Sequence, residues 1–278
     1  MRSQLVAPIK AGESCSFLAG RLYRTEAIVL KSASLGENHL LVTLLARSGS
    51  KLSVVAWGGR NVTSKKIGHL EPLTRVDLAL SKSRVGLDDV SQALSLEGFG
   101  DLKSDLETIA KAIYFAELVD GFAVEGSDNP TLYDLFLDTL RLLQMITDKG
   151  IVVPCFQLNV LKVSGFMPEL YECVECRGLV SPGDHKFSVE LGGAICVQCV
   201  PTGGRISPLS LGAMKVLRYF DRTGPLGLST LSVPRNLCKE VRSILDATVR
   251  YWLDRDVSSR DFMYLVEANP EPNITHKP

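Results

Sequence analysis

The pattern of apolar and polar residues changes at about Gly100. Before that residue, short apolar runs alternate with polar and turn residues, as in half-buried strands. The predicted strands are Thr25–Lys31, His39–Leu45, Leu52–Trp57, Arg75–Leu80 and Val85–Leu96. Five short strands in about 75 residues are typical of a small closed barrel of the OB type, although an open five-stranded sheet would give the same pattern.

After Gly100 the apolar residues recur every three or four positions, which predicts α-helices. The first helical face is predicted to bury Leu102, Leu106, Ile109, Ile113 and Ala116. Further helices are predicted to begin at Asn129-Pro130, Pro154, Ser207-Pro208 and Pro234. The last of them carries Trp252 in its apolar stripe, and we expect all these stripes to form core.

Two Cys-x-x-Cys pairs interrupt the helical part. Cys173 and Cys176 form the first pair, and Cys196 and Cys199 form the second, with nineteen residues between the two pairs. This spacing predicts a four-cysteine zinc site in a small ribbon, with hairpin turns at Pro182-Gly183-Asp184 and Gly192-Gly193. Four thiolates leave no open coordination position, so we expect one structural zinc per chain rather than a catalytic one.

Other interpretations of the cysteines remain open from the sequence. Two disulfides or a redox-active pair would use the same residues, and His185 between the pairs would replace one cysteine as a ligand or lie in a surface turn. The three further cysteines are Cys15, Cys155 and Cys238. An odd total of seven cysteines fits a reducing compartment better than an oxidising one, which favours the metal.

The predicted fold class is therefore α+β. An N-terminal OB-fold β-barrel is expected at 22–99, followed by an all-α domain at 100–268 with an inserted four-cysteine zinc ribbon at 171–204. Residues 1–21 are predicted to be a loose N-terminal extension and 269–278 a flexible tail. No apolar run approaches the ~18 residues of a membrane span, and no signal peptide is evident, so we expect a cytoplasmic protein without membrane contact.

Charge is distributed unevenly although the formal net charge is zero. Residues 21–100 hold eleven Lys/Arg and seven Asp/Glu, whereas residues 101–150 hold four and ten. The segment 58–68 between two predicted strands carries Arg60, Lys65 and Lys66 and no acid. Such a loop would follow a phosphate backbone, or would be a solvated surface loop. Trp57 beside it would stack on a base, although a buried strand-end tryptophan is the favoured interpretation.

The motifs of common enzyme chemistry are missing from the sequence. There is no Walker-type phosphate loop, and His-Glu-x-x-His, Gly-x-Ser-x-Gly and Gly-x-Gly-x-x-Gly are also absent. The four histidines do not pair at ligand spacing. We therefore expect a binding protein rather than an enzyme.

Several stretches together resemble RecO, the family of bacterial recombination mediators. The matching stretches are Glu26–Leu30, Gly36–Asn38, Leu40–Leu45, Gly49–Ala56, Leu102–Glu107, Glu117–Asp120, the two cysteine pairs and Ser259–Phe262. The likeness covers roughly residues 22–265. Two departures are Trp57, where relatives often carry a cation, and Asn38-His39, where they often carry a threonine–acid pair.

The resemblance implies an OB-fold, a helical domain and a zinc segment that some relatives lack. It further implies that the protein acts in a RecF-type DNA repair pathway at the bacterial nucleoid. There it would bind single- and double-stranded DNA, anneal complementary strands and, with RecR, help to load recombinase onto strands coated by single-strand-binding protein. The alternative is a protein–protein adaptor in DNA repair whose basic loop is incidental.

The basic loop and nearby cations supply the candidate DNA contacts, and the resemblance motivates the candidates for a peptide partner. The candidate DNA-binding residues are Arg60, Lys65, Lys66, Arg24, Lys31 and Arg84. The candidates for binding the C-terminal tail of single-strand-binding protein are Arg235, Lys239 and Arg242.

Overall fold

The computed structural model describes residues 22–58 and 67–269. These residues form two compact units. Of the described residues, the barrel unit contains 22–44, 53–58 and 67–97, and the helical unit contains 45–52 and 98–269. Each unit is built around its own set of buried apolar residues.

Five strands make up the barrel unit. They are β1 (Leu22–Leu35), β2 (His39–Ala46), β3 (Lys51–Ala56), β4 (Arg75–Ser81) and β5 (Asp88–Glu97). The sheet has the order β1-β2-β3-β5-β4 and closes on itself, since β4 also pairs antiparallel with β1. The pairing of β3 with β5 is parallel, whereas β4 and β5 are antiparallel.

The interior of the barrel follows from the alternation in the sequence. Val76, Leu78 and Leu80 on β4 are fully buried, and the residues between them are partly exposed. A strand places successive side chains on opposite faces, so a period of two puts every second residue into the core. The predicted strand at this position is confirmed.

Seven α-helices lie in the described part of the helical unit. They are α1 (Gly100–Ser104), α2 (Leu106–Phe122), α3 (Pro130–Met145), α4 (Val152–Val163), α5 (Leu211–Thr223), α6 (Arg235–Leu253) and α7 (Ser258–Ala268). The predicted cap of α3 is present, because the Asn129 side chain accepts a hydrogen bond from the backbone N–H of Leu132. Within the described ranges, no helix combines the length and apolar character needed to cross a membrane.

Two predictions about helix faces are wrong. Leu106 and Ile113, predicted to point inward, are 42% and 38% exposed, whereas Lys111 on the same helix is fully buried. Helix α2 contacts α3, α4 and α7, so tertiary neighbours rather than the apolar stripe decide which of its residues are covered. Trp252 on α6 is also partly exposed, and its ring packs on Phe166 with the centroids 4.7 Å apart.

The helix predicted to begin at Ser207-Pro208 begins later. Residues Ile206–Leu209 instead form strand β8, which pairs with β6 (His185–Ser188), and β6 pairs in turn with β7 (Gly193–Ile195). The sheet order is β7-β6-β8, so Pro208 lies on an edge strand, where its missing N–H is tolerated. The cap of α5 is Ser210, whose side chain accepts from the N–H of Ala213. We call residues 169–209, with these three strands, the cysteine ribbon.

Candidate metal centre and nucleic-acid surface

The first cysteine pair lies on a tight backbone turn. The N–H of Arg177 donates to the carbonyl of Cys173 at 2.9 Å, and the N–H of Cys173 donates to the carbonyl of Gly178 at 2.8 Å. Arg177 has a positive φ of 61°, which lets the chain reverse directly after Cys176. The turn therefore holds the side chains of Cys173 and Cys176 close together.

The second pair follows directly on strand β7. The N–H of Cys199 donates to the carbonyl of Cys196 at 3.2 Å and forms a turn like the first. The N–H of Val174 in the first turn donates to the carbonyl of Ala194 in β7 at 3.0 Å, and β7 leads directly into the second turn. Gly193 in β7 is needed for close approach, because a Cβ there would lie 2.4 Å from the carbonyl oxygen of Glu169. The backbone thus brings the two pairs together.

The four thiols form one cluster. Their Sγ atoms all lie within 4.8 Å of one another, with Cys173–Cys199 at 3.9 Å, Cys176–Cys196 at 3.8 Å and Cys196–Cys199 at 3.5 Å. Four sulfurs about 2.3 Å from one zinc ion would be about 3.8 Å apart at the corners of a tetrahedron. The donor set and its spacing fit a four-coordinate metal ion.

The electrostatics of the cluster also suit a cation. Burial alone would raise the pKa of Cys173, but backbone hydrogen bonds from Cys176, Cys196 and Glu175 lower it to about 6. The pKa of Cys199 is raised to about 12, first by its hydrogen bond with Cys196, then by the thiol of Cys176 and by burial. One thiolate therefore forms readily, and its negative charge disfavours deprotonation of a second thiol nearby unless a metal ion compensates the charge.

His185 is not placed with the four thiols. It is buried on β6, and its Nε2 lies 2.6 Å from the carbonyl oxygen of Ser181. The prediction of a surface turn is therefore wrong. The alternative role as a ligand has no support, because His185 is not part of the thiol cluster.

The cysteine ribbon is anchored to helix α5 by polar contacts. The Arg218 guanidinium donates to the carbonyls of Leu170 and Val180, and lies 4.9 Å from the centre of the Tyr171 ring. Asp221 accepts from Tyr171 Oη at 2.8 Å and from Lys162 Nζ at 2.7 Å. Burial would raise the pKa of Asp221, but the hydrogen bonds from Lys162 and Tyr171 lower it. The ribbon is thus held by charged groups as well as by its own fold.

The predicted DNA-binding cations are only partly described. Arg60, Lys65 and Lys66 lie outside the described residues. On the barrel unit, Lys31 and Arg84 are exposed. Arg24 is 72% exposed in its side chain and forms an ion pair of 2.5 Å with Asp77. The structure therefore places these three on the barrel surface.

Trp57 at the end of β3 is 54% exposed, so the prediction of a buried tryptophan is wrong. Its ring meets His39 edge-on, with the centroids 4.5 Å apart. His39 is itself fixed, because its Nδ1 accepts a hydrogen bond of 3.1 Å from the N–H of Gly58. The reason for the exposure is local: Trp57 follows the last paired residue of β3 and lies in a turn.

The structure has a cleft beside Trp57 that was not predicted from the sequence. It has a volume of about 440 Å³ and lies between the end of β3 and the connection from β4 to β5. Val85 and Leu87 in that connection are exposed, at 93% and 45%. The sequence pattern instead places Val85 and Leu87 in the strand predicted at Val85–Leu96, but β5 begins only at Asp88, so both residues lie in the connection. Their apolar character was the available signal, because turns between strands are usually polar.

The three basic residues predicted to contact a peptide tail are not equivalent. Arg235 and Lys239 are exposed on α6. The Arg242 side chain is largely buried, pairs with Glu267 at 2.6 Å and stacks on Tyr264 with 4.2 Å to the ring centre. The charge of Arg242 is thus already paired with a carboxylate of the helical unit.

Comparison with known proteins identifies the family. The family model "Recombination protein O N terminal" matches residues 21–99, and "Recombination protein O C terminal" matches residues 103–261. The DNA repair protein RecO of Roseiflexus sp. is 36% identical over 244 residues, which are 87% of this chain and 85% of the relative. The RecO proteins of Pelotomaculum thermopropionicum and Bacillus pumilus are 35% and 31% identical, over 87% and 89% of this chain and 94% and 95% of theirs. The chain therefore belongs to the RecO family of DNA repair proteins.

Proposed function

We propose that this protein is a recombination mediator, which binds single- and double-stranded DNA and anneals complementary strands. The observation that carries the proposal is the match of two RecO family models to almost the whole described chain. The same proposal includes RecR as a partner, and action with RecR in loading recombinase onto strands coated by single-strand-binding protein. Its place of action would be the bacterial nucleoid.

We propose that the barrel unit is an OB-fold and that it provides the DNA-binding surface. The strand order β1-β2-β3-β5-β4 with a parallel β3–β5 pair supports this assignment, because the OB-fold is a five-stranded barrel that binds oligonucleotides. Exposed cations on the unit, including Lys31 and Arg84, support a phosphate-binding role. The further candidates are Arg60, Lys65, Lys66 and Arg24.

In this proposal, annealing is a matter of charge compensation. Two DNA strands repel each other, and cations that neutralise phosphates on both strands lower the cost of bringing them together. The sequence has no phosphate-binding loop of the Walker type, so annealing would need no ATP. The protein would act by holding two strands close, while base pairing supplies the driving force.

The cysteine cluster would hold one structural zinc ion. The four-thiol donor set with sulfur spacings of 3.5–3.9 Å supports this assignment. With all four positions taken by protein ligands, the ion would leave none for substrate and would stabilise the ribbon.

The helical unit would bind the C-terminal tail of single-strand-binding protein. Arg235 and Lys239 are the exposed candidates on α6, and Arg242 would have to exchange its ion pair with Glu267 for the peptide. A fluorescent tail peptide would then bind with micromolar affinity, and charge reversal at Arg235 and Lys239 would weaken it.

The decisive experiment measures DNA affinity against salt concentration. If Arg60, Lys65 and Lys66 each contact a phosphate, replacing all three with alanine should reduce the slope of log affinity against log salt by about 2 for single strands. The same variant should anneal complementary strands more slowly. A matched control replaces three cations of the helical unit, Lys186, Lys215 and Arg222, and should leave the slope unchanged.

The result also separates a mediator from an adaptor. An adaptor would bind RecR and show the same weak DNA affinity in the wild type and in both triple variants. Salt-independent DNA binding by the wild type, together with unchanged annealing in the first variant, would refute the proposed DNA function.

A further inference from the structure

The cleft beside Trp57 has the size and composition of a binding site. Its volume of about 440 Å³ is within the range of about 300–1,000 Å³ that is usual for small-ligand sites. Apolar and charged side chains line it together: Val55, Trp57, Lys82, Val85, Leu87 and Asp89. An aromatic residue, a cation and a carboxylate thus meet at one opening on the barrel unit.

Asp89 is the unusual member of this lining. Its Oδ1 is buried and has no hydrogen-bond partner among the described residues. In the neighbouring Asp88, both carboxylate oxygens have hydrogen-bond donors. Its Oδ2 accepts from Tyr23 Oη at 2.7 Å, and its Oδ1 accepts from the N–H of Ser83 at 2.8 Å. A buried acceptor without a partner is costly, so a donor that reaches this oxygen from the cleft would be favoured.

The position of Asp89 is fixed by the barrel. Its backbone is paired with Val55 of β3 on one side and with Ser81 of β4 on the other. Trp57 lies two residues after Val55 in the chain, so the strand that positions the carboxylate also leads to the ring. The tryptophan is in turn held at its edge by His39. The carboxylate on β5 and the ring after β3 therefore lie at neighbouring places of the barrel sheet.

We infer that this cleft binds an unpaired guanine base of single-stranded DNA, with Trp57 stacking on the base and Asp89 accepting hydrogen bonds from its Watson–Crick edge. This inference rests on the proposed DNA-binding function. A carboxylate can only accept hydrogen bonds, and the edge of guanine presents two adjacent donors, N1–H and the 2-amino group. Exposed Lys82 at the same opening would contact a neighbouring phosphate.

The other bases match the carboxylate less well. Adenine and cytosine each offer one amino group beside a ring nitrogen that is an acceptor, and thymine offers one N–H between two carbonyl oxygens. In each case an acceptor faces a carboxylate oxygen, which is repulsive. In a duplex, the Watson–Crick edge of guanine is already occupied by cytosine, so the cleft distinguishes unpaired from paired guanine.

The test compares the affinity of labelled single strands by fluorescence polarisation at one salt concentration. The strands repeat dT-dT-dG, dT-dT-dI, dT-dT-dA or dT throughout, where dI is deoxyinosine and lacks only the 2-amino group of guanine. The guanine strand should bind at least about fivefold more tightly than the adenine and thymine strands, since a bidentate contact discriminates by about 1–3 kcal/mol. The inosine strand should fall between them.

Three variants assign the preference to residues. Asp89→Asn should abolish the guanine preference and retain binding to the thymine strand. Trp57→Ala should weaken all strands by about fivefold or more, because stacking is tolerant of sequence. The control Glu37→Gln removes an exposed carboxylate on the same unit but outside the cleft, and should leave the preference intact. Thermal melting of each variant verifies its fold.

The outcomes separate this inference from the proposed function. Equal affinity for all four strands, with a steep salt dependence, would refute the guanine site and leave DNA binding in place. A guanine preference that persists in Asp89→Asn would also refute it. Failure of every strand to bind at low salt would refute the DNA-binding function, and the guanine site with it.

Discussion

The barrel unit and the cysteine ribbon are both small β structures, but different forces hold them together. The barrel has five strands of six to fourteen residues and closes around fully buried residues such as Val76 and Leu78. The ribbon has three strands of three or four residues. So short a sheet encloses few side chains, and the four thiols lie where the two cysteine turns meet.

The comparison shows how size decides the source of stability. Burial of apolar surface contributes about 25 cal/mol per Å², so a closed barrel can be stable through its core. A segment of about 40 residues buries too little surface and usually needs a metal ion or disulfides. We therefore expect the ribbon to depend on its metal and the barrel to depend on its apolar residues.

The largest expected effect is the loss of the metal from the ribbon. Cys176→Ser, or treatment of the wild type with a strong chelator, should release one zinc ion per chain and unfold the ribbon, because structural zinc contributes on the order of 10 kcal/mol locally. Metal analysis and amide hydrogen exchange measure the two effects. DNA binding should persist in part.

Cys238→Ser is the matched control for this experiment, because Cys238 lies outside the thiol cluster. It should retain the zinc ion and the protection of the ribbon from exchange. Wild-type protein that contains far less than one zinc ion per chain, without any exposure to chelator, would contradict the expectation that the ribbon depends on a metal ion.

The second effect concerns the barrel core. Leu78→Ala removes most of a fully buried side chain and should lower the free energy of unfolding of the barrel unit by about 2–5 kcal/mol. Urea denaturation followed by tryptophan fluorescence in a Trp252→Phe background, in which Trp57 is the remaining tryptophan, would report on this unit. The zinc content should not change. Loss of zinc from Leu78→Ala would mean that the barrel and the ribbon are not stabilised independently.

A smaller effect is expected at the anchor of the ribbon. Asp221→Asn should weaken the contact with Tyr171 and Lys162 and destabilise the ribbon by about 1 kcal/mol, because its charged hydrogen bonds are partly exposed. Hydrogen exchange in the ribbon would rise by about fivefold while the zinc content stays constant. An effect as large as that of Cys176→Ser would show that docking, rather than the metal, holds the ribbon.

The smallest effect is expected at the barrel surface. Arg24→Ala breaks an ion pair with Asp77 in which the arginine is mostly exposed, and such pairs contribute about 0–1 kcal/mol. The melting temperature should change by no more than a few degrees, whereas the affinity for DNA should fall if Arg24 contacts a phosphate. A large loss of stability would indicate that the pair belongs to the barrel's structural core.

Features that depend on local spacing could be predicted from the amino-acid sequence alone. Two Cys-x-x-Cys pairs predicted a four-thiol cluster, and the thiols lie together. The period of two in β4 predicted a half-buried strand, and the Asn129-Pro130 pair predicted the start of a helix. In each case the information lies within a few residues, where backbone geometry alone relates them.

Features that depend on residues far apart in the chain follow from how the folded elements pack. Lys111 is buried because Glu107 and Glu267 both reach its Nζ, at 2.5 and 3.0 Å, and Glu267 belongs to a helix far away in the chain. Ser207 and Pro208 lie in a strand rather than a helix because their segment pairs antiparallel with β6. The cleft at Asp89 exists because β3 and β5 pair in parallel and bring Val55 beside it. A local pattern fixes which residues favour burial, but the packing of other elements fixes which residues are covered.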